Sequence, residues 1–335
     1  SSPNFPINPT DCLYFNGYFV VIEGNSNQWF VSAANDALTW NSQNSIVFNA
    51  KADTLKGLSA VCNQMFIFGN NTTEVWYPSA QGTFPYTYNS NSLFEFGAIA
   101  TGSIAEGQGL LIWLAGDKNG VGSVYMTLGN APQQISTQEV DIAIRNYLVV
   151  EDAIGFIYKE AGQVFYQLTF PTADVTWLCN LTTNNDKLRW TNLQSLNGSR
   201  HIATCHTYWN KQHLIGGRDL SLVYNLSSNI YSDNGISVHR RAQGPSFVLP
   251  AYNRFKVINF EVNFSKGTAN ANNPGENPKS YLSYSTDQGH TFNDQRPAPI
   301  GDIGAYKYRC QWYGLGMMRS FTPRVETYES IPIFI

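Results

Sequence analysis

Leu13-Tyr14-Phe15-Asn16-Gly17-Tyr18-Phe19-Val20-Val21-Ile22 is the stretch on which the reading of the fold turns. Two apolar runs flank Asn-Gly, the dipeptide that most readily takes positive φ at both centre positions of a two-residue turn. A third run follows at Trp29-Phe30-Val31-Ser32. The plan then recurs. Residues 59–62 turn at Asn63-Gln64 into 65–68, followed by 74–77. Residues 103–105 turn at Gly107-Gln108-Gly109 into 110–114, followed by 123–126. Residues 154–158 turn near Ala161-Gly162 into 164–168, followed by 176–179. Residues 203–206 turn at Asn210-Lys211 into 213–215, followed by 220–224.

The turn markers Asn16, Asn63, Gln108, Gly162 and Asn210 stand 47, 45, 54 and 48 residues apart. A period of roughly 40–50 residues with three or four strands per unit is the mark of β-propeller blades. One small sheet cannot cover both of its apolar faces, and radial stacking covers them while leaving short edges. An irregular β-sandwich would show turns about every 8–12 residues without the longer period. The expected fold is all-β: propeller-like blades over residues 1–240, then a C-terminal antiparallel β section over 241–335. One short helix is expected over 137–146, between the third and fourth units. Ser136 and Glu139 have the spacing of a capping box, and Val140, Ala143, Ile144 and Tyr147 share one helical face.

The C-terminal section opens with an alternating strand, 281–285, that runs into Ser285-Thr286-Asp287-Gln288-Gly289-His290-Thr291-Phe292. This is an Asp box. Asp287 is suited to accept backbone N–H bonds across the turn from Ser285, and Gly289 to supply positive φ. Thr291 and Phe292 are expected to begin the returning strand, with the ring tucked under the turn. The motif specifies a hairpin, not an activity. Two further strands are expected at 306–312 and 324–328, and the apolar end, 331–335, as a last strand. The Asn/Gly/Pro-rich stretch 267–278 reads as a mobile loop.

Composition narrows the function classes. Aromatic residues make up 14% and charged residues 13%, against about 25% charged in an average domain. That favours exposed strands and surfaces covered by neighbours over helices. A net charge of −3 gives no global basic footprint for nucleic acid. No apolar run reaches the roughly 18 residues of a membrane span, and the opening residues do not read as a signal peptide. The five cysteines, Cys12, Cys62, Cys179, Cys205 and Cys310, are scattered without a C-x-x-C pair. They read as buried free thiols, not as a disulfide framework or zinc site. Sequons begin at Asn70, Asn71, Asn180, Asn197, Asn225 and Asn263; in so Asn-rich a chain they arise by chance.

Catalytic motifs are missing. There is no H-E-x-x-H, no G-x-S-x-G and no phosphate loop. His206 and His213 flank one hairpin, and without a third ligand they read as strand histidines and not as a metal pair. The single basic cluster, His239-Arg240-Arg241, is a solvated or ion-paired turn, or else a phosphate or partner contact through Arg240 and Arg241. The Asp box raises one alternative function, a carbohydrate-binding or carbohydrate-active (sialidase-like) β-propeller. Such enzymes repeat the box over several blades, whereas here it occurs once, outside the repeated units.

The chain as a whole resembles the packaged-DNA stabilisation proteins of short-tailed phages, also called tail accessory factors or tail hubs. The resemblance rests on "LYFNGYFVVIEG" (13–24), "CNQMFIFGNNTTEVWYPS" (62–79), "GAIATGSIAEGQGLLIWLA" (97–115) and "ISTQEVDIAIRNY" (135–147). It is carried most by "YSTDQGHTF" (284–292) followed by "YKYRCQWYGLGMMRSF" (306–321). Members of that family look longer at the N-terminus, so this chain is expected to begin part-way in. The resemblance implies a structural component of the virion tail, assembled in the cytoplasm of the infected bacterium. It implies a hexameric ring below the portal and its head-to-tail adaptor, which closes the portal channel, stabilises packaged DNA and forms part of the ejection conduit. Implied partners are the portal and adaptor, the tail needle or fibre and spike proteins, and further copies of the chain. Contact with double-stranded DNA is expected to be weak and transient. No catalytic residue, cofactor or metal is implied.

Overall fold

The Asn16-Gly17 hairpin forms as its sequence demands. Pro9–Phe15 and Tyr18–Glu23 pair antiparallel, with Asn16 at φ 49° and Gly17 at φ 86°. Four more hairpins repeat this left-handed pair: Cys62-Asn63 (49°, 59°), Gln108-Gly109 (55°, 75°), Ala161-Gly162 (50°, 79°) and Asn210-Lys211 (48°, 61°). Two successive left-handed residues match the twist of the flanking strands. The second turn is therefore Cys62-Asn63, one residue earlier than expected, with Asn63 in its second position. Ala161 is exposed, so only its backbone conformation is at stake. Ala161→Gly is expected to raise stability by about 0.5–1 kcal/mol, the relief of a left-handed non-glycine residue less the added freedom of the unfolded chain. Denaturant midpoints of the two proteins check this, and an unchanged or lowered midpoint refutes it.

This computed structural model describes residues 4–48, 53–79, 84–117, 120–129, 131–182, 188–195, 198–218, 221–264, 278–302 and 304–331. The chain divides into two compact units. The first comprises Ser1–Leu193 and Ser199–Leu226, the second Ser227–Ile335 and Gln194–Gly198.

The first unit is a series of antiparallel sheets. The first blade has strands Pro9–Phe15, Tyr18–Glu23, Gln28–Ala33 and Asp36–Val47 in that order. The second has Leu55–Val61, Gln64–Gly69, Thr73–Pro78 and Tyr86–Phe94. The third has Ala105–Gly107, Leu110–Asp117, Gly120–Thr127 and Gln133–Gln134, with Gly97–Ala98 added on Leu110–Asp117. The fourth has Ile154–Glu160, Gln163–Phe170, Val175–Asn180 and Arg189–Leu193. The fifth has Ala203–Trp209, Gln212–Gly217 and Val223–Leu226. The first strands of successive blades lie against one another, as the inner strands of a propeller do.

Apolar cores fill the seams. Val20, Ile22, Trp29 and Val31 of the first blade pack on Leu58, Met65, Ile67 and Trp76 of the second. The opposite face of the second blade, Phe66, Phe68 and Val75, packs on Leu111, Trp113 and Ala115 of the third. The other face of the third, Ile112, Leu114 and Val124, packs on Tyr166, Leu168 and Phe170 of the fourth. Inner blades are thus apolar on both faces, which is why Met65-Phe66-Ile67-Phe68 is an unbroken buried run.

The helix is Gln138–Arg145, with Val140 and Ile144 buried against the third and fourth blades. Its N-cap is Thr137, and no side chain caps it. The capping box expected from Ser136 does not form, because the Ser136 hydroxyl accepts the Val124 N–H at 2.9 Å and ties the approach to the third blade instead.

The second unit is a sandwich. One sheet runs Arg240–Gln243, Ser320–Thr327, Lys279–Ser285, Arg296–Pro299, with Phe247–Val248 also on Ser320–Thr327. The other pairs Phe255–Val262 with Cys310–Met318. Leu282, Ala298, Phe321 and Val325 meet Cys310, Trp312, Leu315 and Met318 between them. The strand expected at 306–312 starts only at Cys310 and runs through Gly314 and Gly316, whose φ of 65° and 99° accommodate a bulge opposite Val257 and Asn259. The strand expected at 324–328 starts four residues earlier and ends one sooner, Ser320–Thr327. Of the apolar end only Ile331 is described; residues 332–335, and most of the 267–278 loop, lie outside the described residues.

Candidate functional site

Three groups of sequence-marked residues were candidates, and each is best read from its hydrogen bonds. In the Asp box, Ser285 is 1% exposed and its hydroxyl donates to Asp287 Oδ1 at 2.5 Å. The same hydroxyl accepts the N–H groups of Asp287 (3.2 Å) and Gly289 (2.8 Å). Asp287 then accepts the Thr291 N–H at 2.9 and 3.1 Å and the Thr291 hydroxyl at 2.6 Å. Hydrogen bonds from Ser285 first, then from Thr291, hold the Asp287 carboxyl well below the ordinary carboxylate range. Gln288 and Gly289 carry positive φ, 62° and 100°. The carboxylate is thereby saturated by its own turn.

The turn departs from expectation at its exit. Thr291 and Phe292 do not begin the returning strand, because the Thr291 N–H is spent on Asp287. Pairing resumes through Asn293, whose N–H donates to the Tyr284 carbonyl (3.1 Å) and whose Oδ1 accepts the Tyr284 N–H (2.6 Å). The strand itself starts at Arg296. Phe292 is not tucked under the turn: it is half-buried, and the Arg324 guanidinium lies 3.3 Å above its ring.

In the basic cluster the two arginines part company. Arg240 is half-buried and donates to the carbonyls of Glu329 (3.0 Å), Ile331 (3.0 Å) and Tyr231 (3.4 Å). Burial lowers its guanidinium from the ordinary value. It fastens the C-terminal segment to the start of its own unit. Arg241 is exposed. The His239 Nε2–H donates to Glu326 Oε1 at 3.1 Å, and the ring stacks on Tyr328 at 4.6 Å.

The two strand histidines touch each other, His206 Nε2 to His213 Nδ1 at 2.9 Å. Among the described residues no three side chains of His, Cys, Asp or Glu converge as a metal cluster would need. The cysteines are free, but not all buried: Cys12, Cys62 and Cys205 are exposed, Cys179 and Cys310 buried. Cys62 sits in a hairpin turn, and Cys205 on the open face of the fifth blade.

Sequence reasoning missed one concavity. On the outer face of the first blade Phe5, Phe19, Val21 and Trp40 line an open cleft of about 580 Å³ beside Asp11. Asp11 accepts the N–H of Leu58 in the second blade at 2.7 Å and that of Cys12 at 2.8 Å. Burial raises its carboxyl, with those two hydrogen bonds pulling the other way. Asp11 stands in a strand with no turn or motif to mark it. Among the described residues no helix is long and apolar enough to cross a membrane.

Two family models match the chain. The bacteriophage P22 Gp10 β-propeller model matches residues 6–231, and the bacteriophage P22 Gp10 β-sandwich model matches residues 245–331. No curated protein matches. Solved structures similar to the chain include the computationally designed protein Ika8, at 12% identity over 63% of this chain and 56% of that one, with a TM-score of 0.36. Another is the exo-β-1,3-galactanase of Phanerochaete chrysosporium, at 9% identity over 96% and 93%, TM-score 0.32. A third is Hsv2 of Kluyveromyces marxianus, at 11% identity over 61% and 55%, TM-score 0.36. The chain thus spans little more than half of the first and third of these, and at such TM-scores none of them bears on function. The two matched segments take in the propeller strands and the sandwich with its Asp-box turn, and on them the chain belongs to the bacteriophage P22 Gp10 family, phage tail structural proteins and so components of the virion.

Proposed function

We propose that this protein is a tail hub: it closes the portal channel once the genome is packaged, stabilises the packaged DNA, and forms part of the conduit through which the genome leaves. The observation that carries the reading is the match of both family segments in order along one chain. Two physical features support it. The Asp-box carboxylate is saturated by Ser285 and Thr291 and holds a turn, which suits a scaffold better than a catalyst. Large apolar side chains stand exposed, among them Trp209 at 66% and Val223 at 70% on the fifth blade, as surfaces held for neighbours do.

In this reading the partners are the portal and its head-to-tail adaptor on one side and the tail needle or the fibre and spike proteins on the other. Copies of the chain form a sixfold ring by heterologous contacts that must close. The site of assembly is the cytoplasm of the infected bacterium. DNA slides past, so contact is weak and salt-sensitive, consistent with a net charge of −3. Arg241, exposed, is the residue of the basic cluster assigned to phosphate or partner contact.

Premature rings would compete with ordered assembly. The expected result is a monomer or weak oligomer in isolation and six copies on the tail complex. Native mass measurement of the purified chain, alone and with a portal–adaptor assembly, checks this. A stable closed dimer with no affinity for that assembly overturns the hub reading. Clear turnover of a glycan by the wild-type protein would place the carbohydrate-active reading ahead of it.

A further inference from the structure

The four apolar cores among the described residues take no side chain from the fifth blade. Its seam with the fourth blade has a different chemistry. From the fourth blade, Phe156, Tyr158, Phe165, Gln167 and Thr176 share one face by strand register. Gln167 is 1% exposed, and neither its Oε1 nor its Nε2 has a hydrogen-bond partner. Thr169 and Thr176 share a hydroxyl hydrogen bond of 3.1 Å. From the fifth blade come His206 and His213, joined ring nitrogen to ring nitrogen at 2.9 Å. His206 stacks on Phe156 at 5.3 Å and meets Tyr158 at 5.7 Å; His213 meets Tyr158 at 5.9 Å and Tyr208 at 4.9 Å.

We propose that this seam is a proton-operated release point, at which a second proton on the His206–His213 pair uncouples the fifth blade from the fourth. One hydrogen bond between two imidazoles needs an acceptor nitrogen. A singly protonated pair keeps it, and a doubly protonated pair has only donors facing each other across 2.9 Å. The titratable side chains in ring contact with the pair are Tyr158 and Tyr208; by strand register Glu160 shares the face of Tyr158 and Tyr224 the face of His213, and Lys211 is in the fifth blade's turn. Glu160 is the carboxylate that would favour an imidazolium. Burial, then His213, nevertheless lowers His206 from the ordinary imidazole value. A lowered folded value means the unfolded chain binds the proton first. Stability of the seam is therefore full above about pH 6.5 and is lost as pH falls below it.

Hydrogen exchange of the full chain, corrected for intrinsic rates, tests this at pH 7.5 and 5.0. Amides of 203–226 are expected to exchange several-fold faster at pH 5.0 relative to those of the first three blades. His206→Phe keeps the stack on Phe156, and His206→Asn keeps a polar partner for His213; in either variant the pH effect on 203–226 is expected to vanish. Equal protection of the wild-type fifth blade at both pH values overturns the proposal. So does a pH effect undiminished in whichever variant folds.

Discussion

Trp113→Ala is expected to cost about 3–5 kcal/mol, the range for deleting a large aromatic side chain from a packed core. Trp113 is 0% exposed and sits on the second strand of the third blade, where it closes the seam with the second blade. Its ring lies 5.1 Å from Phe68, 6.3 Å from Phe96 and 6.3 Å from Tyr125. These neighbours come from three backbone segments, each fixed by its own hydrogen bonds, so they have little freedom to collapse into the vacated space. Against a typical domain stability of about 5–15 kcal/mol the loss is large. Trp113→Phe separates packing from polarity. The indole Nε1 has no hydrogen-bond partner, so phenylalanine removes an unsatisfied buried donor along with some volume. Its cost is expected to be well under half that of alanine. Guanidinium denaturation of the three proteins checks the order. An alanine variant within about 1 kcal/mol of wild type would mean that the seam between the second and third blades is not packed as described.

The blade plan was legible because its turns are chemically demanding. Two left-handed residues in succession require Gly or Asn at most of the positions, and Asn16-Gly17, Asn63, Gly109, Gly162 and Asn210 supply them. Where the residue has no preference for that conformation, as with Cys62, the turn lies one position ahead of its sequence marker. The fourth strands carried no comparable signal. Asp36–Val47 holds Asn41-Ser42-Gln43-Asn44, and Tyr86–Phe94 holds Asn89-Ser90-Asn91-Ser92. An outer strand buries one face at most, and polar sequence there looks like loop. The Asp-box residues stand out in the sequence, and the acceptor role of Asp287 is readable from the motif; the three bonds of the Ser285 hydroxyl are not. Nor is the exit of the turn, since it depends on which acceptor takes the Thr291 N–H. Exposure of the cysteines is not legible in the sequence for a related reason. Cys12 and Cys205 stand in apolar-looking strands on the outer faces of the first and fifth blades, and alternation does not say whether a given face has a neighbour. The half-buried bonding of Arg240 could not be read at all, because its three carbonyl partners lie 9, 89 and 91 residues away.

Asp53→Ala is expected to be nearly as damaging as Trp113→Ala, through hydrogen bonds and not volume. Asp53 precedes the second blade and is 7% exposed. Its Oδ2 accepts the N–H groups of Asn71 (2.8 Å) and Thr72 (2.9 Å) and the Thr72 hydroxyl (2.9 Å). Its Oδ1 accepts the Thr54 N–H at 3.0 Å. One carboxylate thus closes the turn between Gln64–Gly69 and Thr73–Pro78 onto the chain that enters the blade. Thr72 is 1% exposed, so water cannot replace the lost acceptor without opening the turn. Each buried donor left unsatisfied costs about 1–3 kcal/mol, and alanine orphans at least the Thr72 pair, for a total near 3–5 kcal/mol. Asp53→Asn keeps one acceptor oxygen but turns an NH₂ toward donors, and its cost is expected to fall between wild type and alanine. Gly69 reinforces the argument, because a Cβ there would lie 2.4 Å from Asp53 Oδ2; Gly69→Ala is expected to reproduce the alanine defect by displacing the carboxylate without removing it. Denaturant midpoints place the four proteins. Near wild-type stability in both Asp53→Ala and Gly69→Ala would show that the turn holds without its carboxylate, and loss in Gly69→Ala alone would assign the effect to backbone crowding.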